Sequence, residues 1–319
     1  MNHVNSHDLF FPYLLRKVTE KAALASYNWI GRGDKKGGDR AATEAMRLSL
    51  LELNLNGTVV IGEGEKDDAP QLYNGEVFGD KNSSEHLDIA VDPVEGTTYL
   101  AEGQTNAMAV MATSPKGTMF DPSPAFYMEK FAAPAETRGK INMEWTTEKK
   151  LNTVARLLEK DIENLNVFVL DKPRHRNLLE EIYQAGARVS LYPAGDVAGA
   201  LMAAMPDTEV DVLMGTGGTP EGILSASAIR AMGGEFLGRM DPQLATEIVR
   251  VRDAGIDTSR WYDRDELIGS DDVQFCATGI TSGLLFKGVK STKHYFRTET
   301  LILNGTSNEM VSLTNWHKR

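Results

Sequence analysis

Residues 87–98 read Leu87-Asp88-Ile89-Ala90-Val91-Asp92-Pro93-Val94-Glu95-Gly96-Thr97-Thr98, and the rest of the chain is best understood outward from them. Apolar and polar residues alternate from Leu87 to Val91, the period of a strand with one buried side. Two acids, Asp92 and Glu95, follow where that strand ends. Pro93 fixes one backbone angle, and Gly96 permits a turn closer than a side chain would allow. A helix opening at Gly96-Thr97 would aim free amide groups and the positive end of its dipole at a phosphate. One short segment then offers two carboxylates, amide donors and a hydroxyl.

Upstream, Thr58-Val59-Val60-Ile61 is a second apolar strand and runs into Gly62-Glu63-Gly64-Glu65. Leu14, Val18, Ala22, Ala25 and Trp29 recur at helical spacing, which predicts a helix over about 10–30, stopped by Gly31-Arg32-Gly33. A second helix is expected from about Asp39, after Gly37-Gly38, with Ala42, Met46, Leu50 and Leu53 inward. Segments 107–112 and 126–131 read as strands. Helix, helix and then strands give residues 1–160 an α+β pattern.

From about residue 166 the rhythm changes. Strands at 167–170, 189–192 and 210–214 alternate with helices at 174–184, 196–205 and 221–232. Such alternation predicts a mostly parallel sheet with helices on its faces over 161–319, and the boundary near 160 rests on this change. From Val273 the pattern returns to strands, 294–303 being the longest, with no indication of which sheet they join. Ligands bind beyond the carboxyl ends of parallel strands, so the loops at 171–175, 193–196 and 215–221 should line one crevice.

The 319 residues are 41% hydrophobic and 25% charged, an ordinary globular balance. With 34 basic against 45 acidic residues the net charge is −11, which argues against nucleic acid or an anionic membrane as partner. Cys276 is the sole cysteine; it excludes an internal disulfide, suits a reducing cytoplasm and reads as a small buried hydrophobe. Neither a signal peptide nor a membrane span is legible.

Asp39, Glu63, Glu65, Asp92 and Glu95 all stand beside glycines or at element ends. Taken singly each has an ordinary reading: Asp39 a helix N-cap, Asp92-Pro93 a turn opener, a glutamate after a strand a solvated side chain. Taken together they suit hard divalent cations, which want carboxylate oxygens and relieve the repulsion of converging acids. Lys35 among its glycines matches neither nucleotide-binding loop pattern. Lys172 and Arg174 can meet a second, non-reacting phosphate, with arginine able to fork two oxygens. Asp196 can accept from sugar hydroxyls or merely cap its helix. His175 reads as a support residue at a helix start rather than a catalyst.

Asp-Pro-Val-Glu-Gly-Thr-Thr at 92–98, preceded by Gly-Glu-Gly-Glu at 62–65, resembles the signature of the lithium-sensitive, metal-dependent sugar and inositol phosphatase superfamily. Gly31-Arg32-Gly33-Asp34-Lys35, Val60-Ile61-Gly62-Glu63-Gly64-Glu65, Tyr127-Met128-Glu129-Lys130, Lys172-Pro173-Arg174-His175 and Gly217-Gly218-Thr219-Pro220-Glu221-Gly222 resemble class II fructose-1,6-bisphosphatases of the GlpX type. The motifs run in order over nearly the whole chain, and its length fits a shorter, YggF-like branch.

The resemblance implies a layered α-β-α-β-α sugar-phosphatase fold and metal ligands at Asp39, Glu63, Asp92, Glu95 and Glu221, for Mn²⁺ or Mg²⁺. It implies a catalytic set of Asp39, Glu63 and Thr97, in which Asp39 and Thr97 position and help deprotonate the attacking water. Substrate contacts are implied at Glu95, Gly96, Thr97, Tyr127, Lys172, Pro173, Arg174, Ala194, Gly195, Asp196 and Gly218. The implied reaction removes the 1-phosphate of D-fructose 1,6-bisphosphate, a step of gluconeogenesis, in a cytoplasmic homo-oligomer. The same machinery would serve a sedoheptulose bisphosphate, an inositol phosphate or another sugar phosphate, and a non-catalytic sugar-phosphate sensor is a further alternative. One position departs from the family: Ala194-Gly195-Asp196 stands where Asp-Gly-Asp is usual, so contact at 194 falls to the backbone or is absent.

Overall fold

The computed structural model describes residues 6–64 and 71–319, with side chains from Phe11 onward; Glu65, quoted above, lies outside the described residues. The chain is mixed α/β, with two mixed sheets and helices, and it divides into two compact units, 1–119 with 270–319 and 120–269.

The chain opens with two helices, α1 (Ser6–Ser26) and α2 (Lys35–Glu52). Their inward residues Leu15, Val18, Ala22, Met46 and Leu50 are fully buried. The second helix starts earlier than its apolar pattern suggests, because the Asp34 side chain accepts from the Gly37 N–H at 2.9 Å and caps it. Asp39 therefore sits in the second turn and is not the cap. The strands β1 (Gly57–Ile61), β2 (Val77–Phe78) and β3 (Leu87–Glu95) follow, then the short α3 (Thr97–Glu102) and β4 (Met108–Pro115).

Residues 120–269 form the second unit. Its elements are β5 (Tyr127–Ala133), α4 (Thr147–Leu157), β6 (Asn166–Leu170), α5 (Arg176–Gln184), β7 (Arg188–Tyr192), α6 (Asp196–Ala204), β8 (Val212–Gly218), α7 (Thr219–Met232), β9 (Glu235–Met240), α8 (Ala245–Asp253), β10 (Trp261–Asp263) and α9 (Arg264–Leu267). The sheet order is β10-β9-β5-β8-β6-β7. Only β6 pairs in parallel, with β7 and β8; β5 lies antiparallel between β8 and β9. The sheet is thus mixed and not mostly parallel. The reason is β5, which precedes the alternating region and inserts into the middle of its sheet; no local pattern announces that choice. The same insertion puts 120–160 with the later residues rather than the earlier ones. Phe131, Val167, Val169, Val212 and Met214 bury one face of the sheet with Leu151, Val154 and Ile182 of α4 and α5. The other face meets α6 and α7; Gly199 of α6 leaves room for the Phe168 ring, 2.5 Å from where a Cβ would stand.

The chain then returns to the first unit as β11 (Gln274–Gly279), β12 (Lys290–Ser291), β13 (Tyr295–Asn304) and β14 (Glu309–Lys318). These strands complete an eight-stranded sheet, β12-β13-β11-β4-β3-β1-β2 with β14 beside β13. The tail whose sheet the sequence leaves open thus joins the first. Cys276 lies fully buried in β11, and burial pushes its thiol pKa up. No helix among the described residues is long and apolar enough to cross a membrane.

Candidate active site

In the first unit the site is built on the end of β3. Alternation along a strand would send Asp92 and Glu95, three positions apart, to opposite faces. The ladder prevents this. Asp92 pairs with Val110 and Glu95 with Met108, so three steps on β3 oppose two on β4. That bulge returns both side chains to one side. They offer carboxylate oxygens within 4.8 Å of each other, and Asp92 also accepts from the Val94 N–H at 2.9 Å. Gly96 follows with φ of 85°, a conformation glycine adopts without strain, and its absent side chain clears the Tyr99 ring. The expected helix then begins at Thr97.

Two further acids of the expected set, Glu63 and Asp39, lie on neighbouring segments of the same unit. Strands β1 and β3 run parallel with Ile61 beside Ala90, and Glu63 follows two residues beyond the end of β1, its N–H donating to the Leu72 carbonyl at 2.9 Å. On α2, Gly38 lets the helix lie against Leu100 of α3 and the Trp29 side chain; a Cβ there would stand 2.6 Å from Leu100 Cδ2. Lys35 Nζ donates to Thr98 Oγ1 at 2.8 Å, joining the starts of α2 and α3. Asp39 is half-buried, and burial raises its carboxyl pKa from the ordinary value. Neither Asp39 nor Glu63 belongs to the cluster of mutually close carboxylates that holds Asp92 and Glu95.

In the second unit the structure revises the picture of a glycine-rich loop. Gly215 to Gly218 are the last residues of β8 and pair with Tyr127 to Lys130 of β5. Residues 215, 217 and 218 are glycine because carboxylates and an imidazole lie over them. A Cβ at Gly217 would stand 2.0 Å from Asp196 Oδ2, one at Gly218 1.9 Å from Glu221 Oε2, and one at Gly215 2.9 Å from His175 Nε2. Beneath them Lys130 is wholly buried and forms an ion pair with Asp196 Oδ2. Glu221 Oε2 is buried without a hydrogen-bond partner. Its carboxyl is pushed up by burial and by Asp196, against the pull of Lys130.

The basic turn after β6 also differs from the expectation of an open arginine fork. Arg174 Nε and Nη2 both donate to the Thr216 carbonyl, at 3.0 and 2.7 Å, and the guanidinium lies 5.2 Å from the centre of the Tyr127 ring. Its remaining edge is the one left for an anion. Pro173 opens a short 3-10 turn, with Lys172 extended before it. Ala194 is half-buried, and Gly195 takes φ of 89° to start α6 at Asp196, which is buried.

Residues 12–317 match the family model described as bacterial fructose-1,6-bisphosphatase, glpX-encoded. The chain belongs to that family. It is 42% identical over 314 residues to fructose-1,6-bisphosphatase 1 class 2 of Escherichia coli (strain K12), covering 94% of this chain and 93% of that protein. The same identity and coverage hold for fructose-1,6-bisphosphatase class 2 of Shigella flexneri. Among solved structures it is similar to an extragenic suppressor from Pyrococcus furiosus, at 14% identity and TM-score 0.33 over 61% of this chain and 72% of that one. That likeness is too slight to add to the fold described above.

In a member of the glpX-encoded fructose-1,6-bisphosphatase family, the carboxylates of each unit are of the kind that suits a divalent cation. Asp92 and Glu95 supply adjacent hard oxygens, and Glu221 keeps a buried carboxylate oxygen for which the protein provides no donor. Lys130 lies in the Tyr127–Lys130 motif, where the sequence gives it no role, and Thr216 lies in the loop expected at 215–221; Asp241, whose carboxylate accepts from Thr216 Oγ1, carries no local signal. A lysine between Met128 and Phe131 in an apolar strand is the one local signal that could have prompted a search for a buried anion.

Proposed function

We propose that this chain hydrolyses the 1-phosphate of D-fructose 1,6-bisphosphate, releasing fructose 6-phosphate and phosphate, as a class 2 fructose-1,6-bisphosphatase. The observation that carries the activity is family membership across residues 12–317, with 42% identity to relatives bearing that name.

Asp39, Glu63, Asp92, Glu95 and Glu221 would hold divalent cations, Mg²⁺ or Mn²⁺. When bound, such a cation neutralises charge on phosphoryl oxygens and makes water easier to ionise. The chain supplies the rest. Thr97 and Asp39 orient a water in line with the phosphorus, and Asp39 takes its proton. Amides at Gly96 and Thr97 receive charge that develops on the phosphoryl oxygens. Lys172 and the outer edge of Arg174 hold the distal phosphate, with Pro173 stiffening the turn and Tyr127 backing the guanidinium. Asp196 gives one oxygen to Lys130 and keeps the other for a sugar hydroxyl. The segment 194–195 and Gly218 contribute backbone alone to the sugar contacts.

Purified protein should release phosphate from fructose 1,6-bisphosphate only with a divalent cation, and Asp92→Asn should lower kcat at least about a hundredfold. A panel with sedoheptulose bisphosphate, inositol phosphates and other sugar phosphates, run with and without Li⁺, ranks the substrates. Failure of wild-type protein on the fructose ester under all metals would overturn the reading. The resemblance also supports a homo-oligomer acting in gluconeogenesis in the cytoplasm; light scattering that returned a monomer mass would reject the assembly.

A further inference from the structure

Strand β8 outruns its neighbour. On its parallel side it pairs with β6 at Val212 and Leu213; β6 itself ends at Leu170, two residues beyond the last pair, and the chain turns off toward Pro173. Thr216 therefore directs its N–H and C=O toward an edge where no strand remains. Two consecutive side chains take the strand's place. The Thr216 N–H donates to His175 Nε2 at 2.8 Å, while its carbonyl receives the two Arg174 bonds. Thr216 Oγ1 donates to Asp241 Oδ2 at 2.5 Å, fixing the third side of the same residue.

The imidazole has no freedom of tautomer. Its Nδ1 lies 2.7 Å from the Leu170 carbonyl, which can only accept, so Nδ1 carries the hydrogen and Nε2 presents a lone pair to the Thr216 amide. His175 is buried, and the bare Cα of Gly215 leaves room for its ring, 2.9 Å from where a Cβ would stand. One ring thus ties the end of β6 to the end of β8, on either side of the turn that carries Lys172 and Arg174.

We propose that His175 is a positioning residue for substrate selection: its Nε2 latch on Thr216 holds the Lys172–Arg174 turn where it meets the second phosphate of a bisphosphate. This rests on the functional reading above, which assigns that turn to the distal phosphate. The latch needs neutral imidazole, since a proton on Nε2 would face an N–H donor. Burial keeps the His175 pKa below its ordinary value, and the neighbouring Arg174 charge acts the same way, while the Leu170 bond and the Asp241 carboxylate oppose them.

Two replacements separate the halves of the ring. Asparagine reaches the position of Nδ1 and can keep the Leu170 bond, but it cannot reach Thr216. Glutamine places an amide oxygen near the position of Nε2 and can restore the latch. Steady-state kinetics on fructose 1,6-bisphosphate and on p-nitrophenyl phosphate, with the same metal, should show His175→Asn raising KM for the bisphosphate roughly tenfold, about the worth of one hydrogen bond. Its kcat, and the KM for the monoester, should stay within about twofold, and His175→Gln should bring KM back to within about threefold of wild type. If His175→Asn does not fold, the acid limb decides. The wild-type KM for the bisphosphate, divided by that of His175→Gln, should stay level down to the ordinary histidine value of about 6.5 and grow only at lower pH, because burial holds the His175 transition beneath it; the substrate's own ionisation cancels in the ratio. A flat ratio, an unchanged bisphosphate KM in His175→Asn, or parallel losses on both esters would overturn the latch alone. A wild-type chain inert toward fructose 1,6-bisphosphate would fell the functional reading, and the latch with it.

Discussion

A lysine ammonium carried into an apolar strand must find an anion or lose its charge, and Lys130 finds Asp196. The pair is wholly enclosed on the lysine side, and a second carboxylate, Glu221, lies close enough for its pKa to respond to both partners. Removing one member of such a pair strands the other, at about 3–5 kcal/mol. Lys130→Met should therefore lower unfolding free energy by about that amount in urea denaturation. Adding Asp196→Asn to it should recover part of the loss; a double variant no better than the single would show that packing, not charge, made the lysine necessary. The lysine hints locally at a buried anion, but its partner is not legible, because Lys130 and Asp196 are 66 positions apart. The acids of residues 92–95 are legible, because they share one short segment with the glycine that shapes it.

At the scale of elements, strands here are tuned by exceptions to their own period. The bulge in β3 aligns Asp92 with Glu95, and the glycines of β8 let a strand continue beneath carboxylates that any side chain would displace. The glycines were legible as residues that must be small, yet their element was not: a run of Gly-Thr-Gly-Gly reads as a turn until β5 is seen to pair with it. Gly218→Ala probes this arrangement. The added methyl would meet the tip of the Glu221 side chain, which can swing away, so melting should shift by no more than a few degrees. Cation affinity, read by calorimetric titration with Mn²⁺, should weaken roughly tenfold if Glu221 is a ligand. Unchanged affinity would remove Glu221 from the ligand set.

At the scale of the whole molecule, the chain leaves its first unit after residue 119 and comes back at 270 to finish the first sheet. The last strand, β14, covers β13 along its full ladder, from Tyr295 opposite Lys318 to Asn304 opposite Glu309. Removing residues 305–319 would leave Thr300, Leu301, Ile302 and Leu303, all buried, on a long unpaired edge. Such a truncation should lose soluble protein and elute as aggregate in size-exclusion chromatography; a monodisperse product with unchanged melting would contradict this. What the sequence by itself determined is chemistry and local shape: helical and strand periods, acids set beside glycines, and motifs whose order marks the family. Those features are written in neighbouring residues, where short-range sterics and hydrophobic period act. Only the tertiary structure decided that β5 enters the later sheet, that the tail completes the earlier one, that a bulge aligns two acids, and that His175 stands in for a missing strand. Each of these depends on backbone groups finding partners far along the chain, and hydrogen bonding between peptide groups, identical at almost every residue, leaves no trace in the side-chain code.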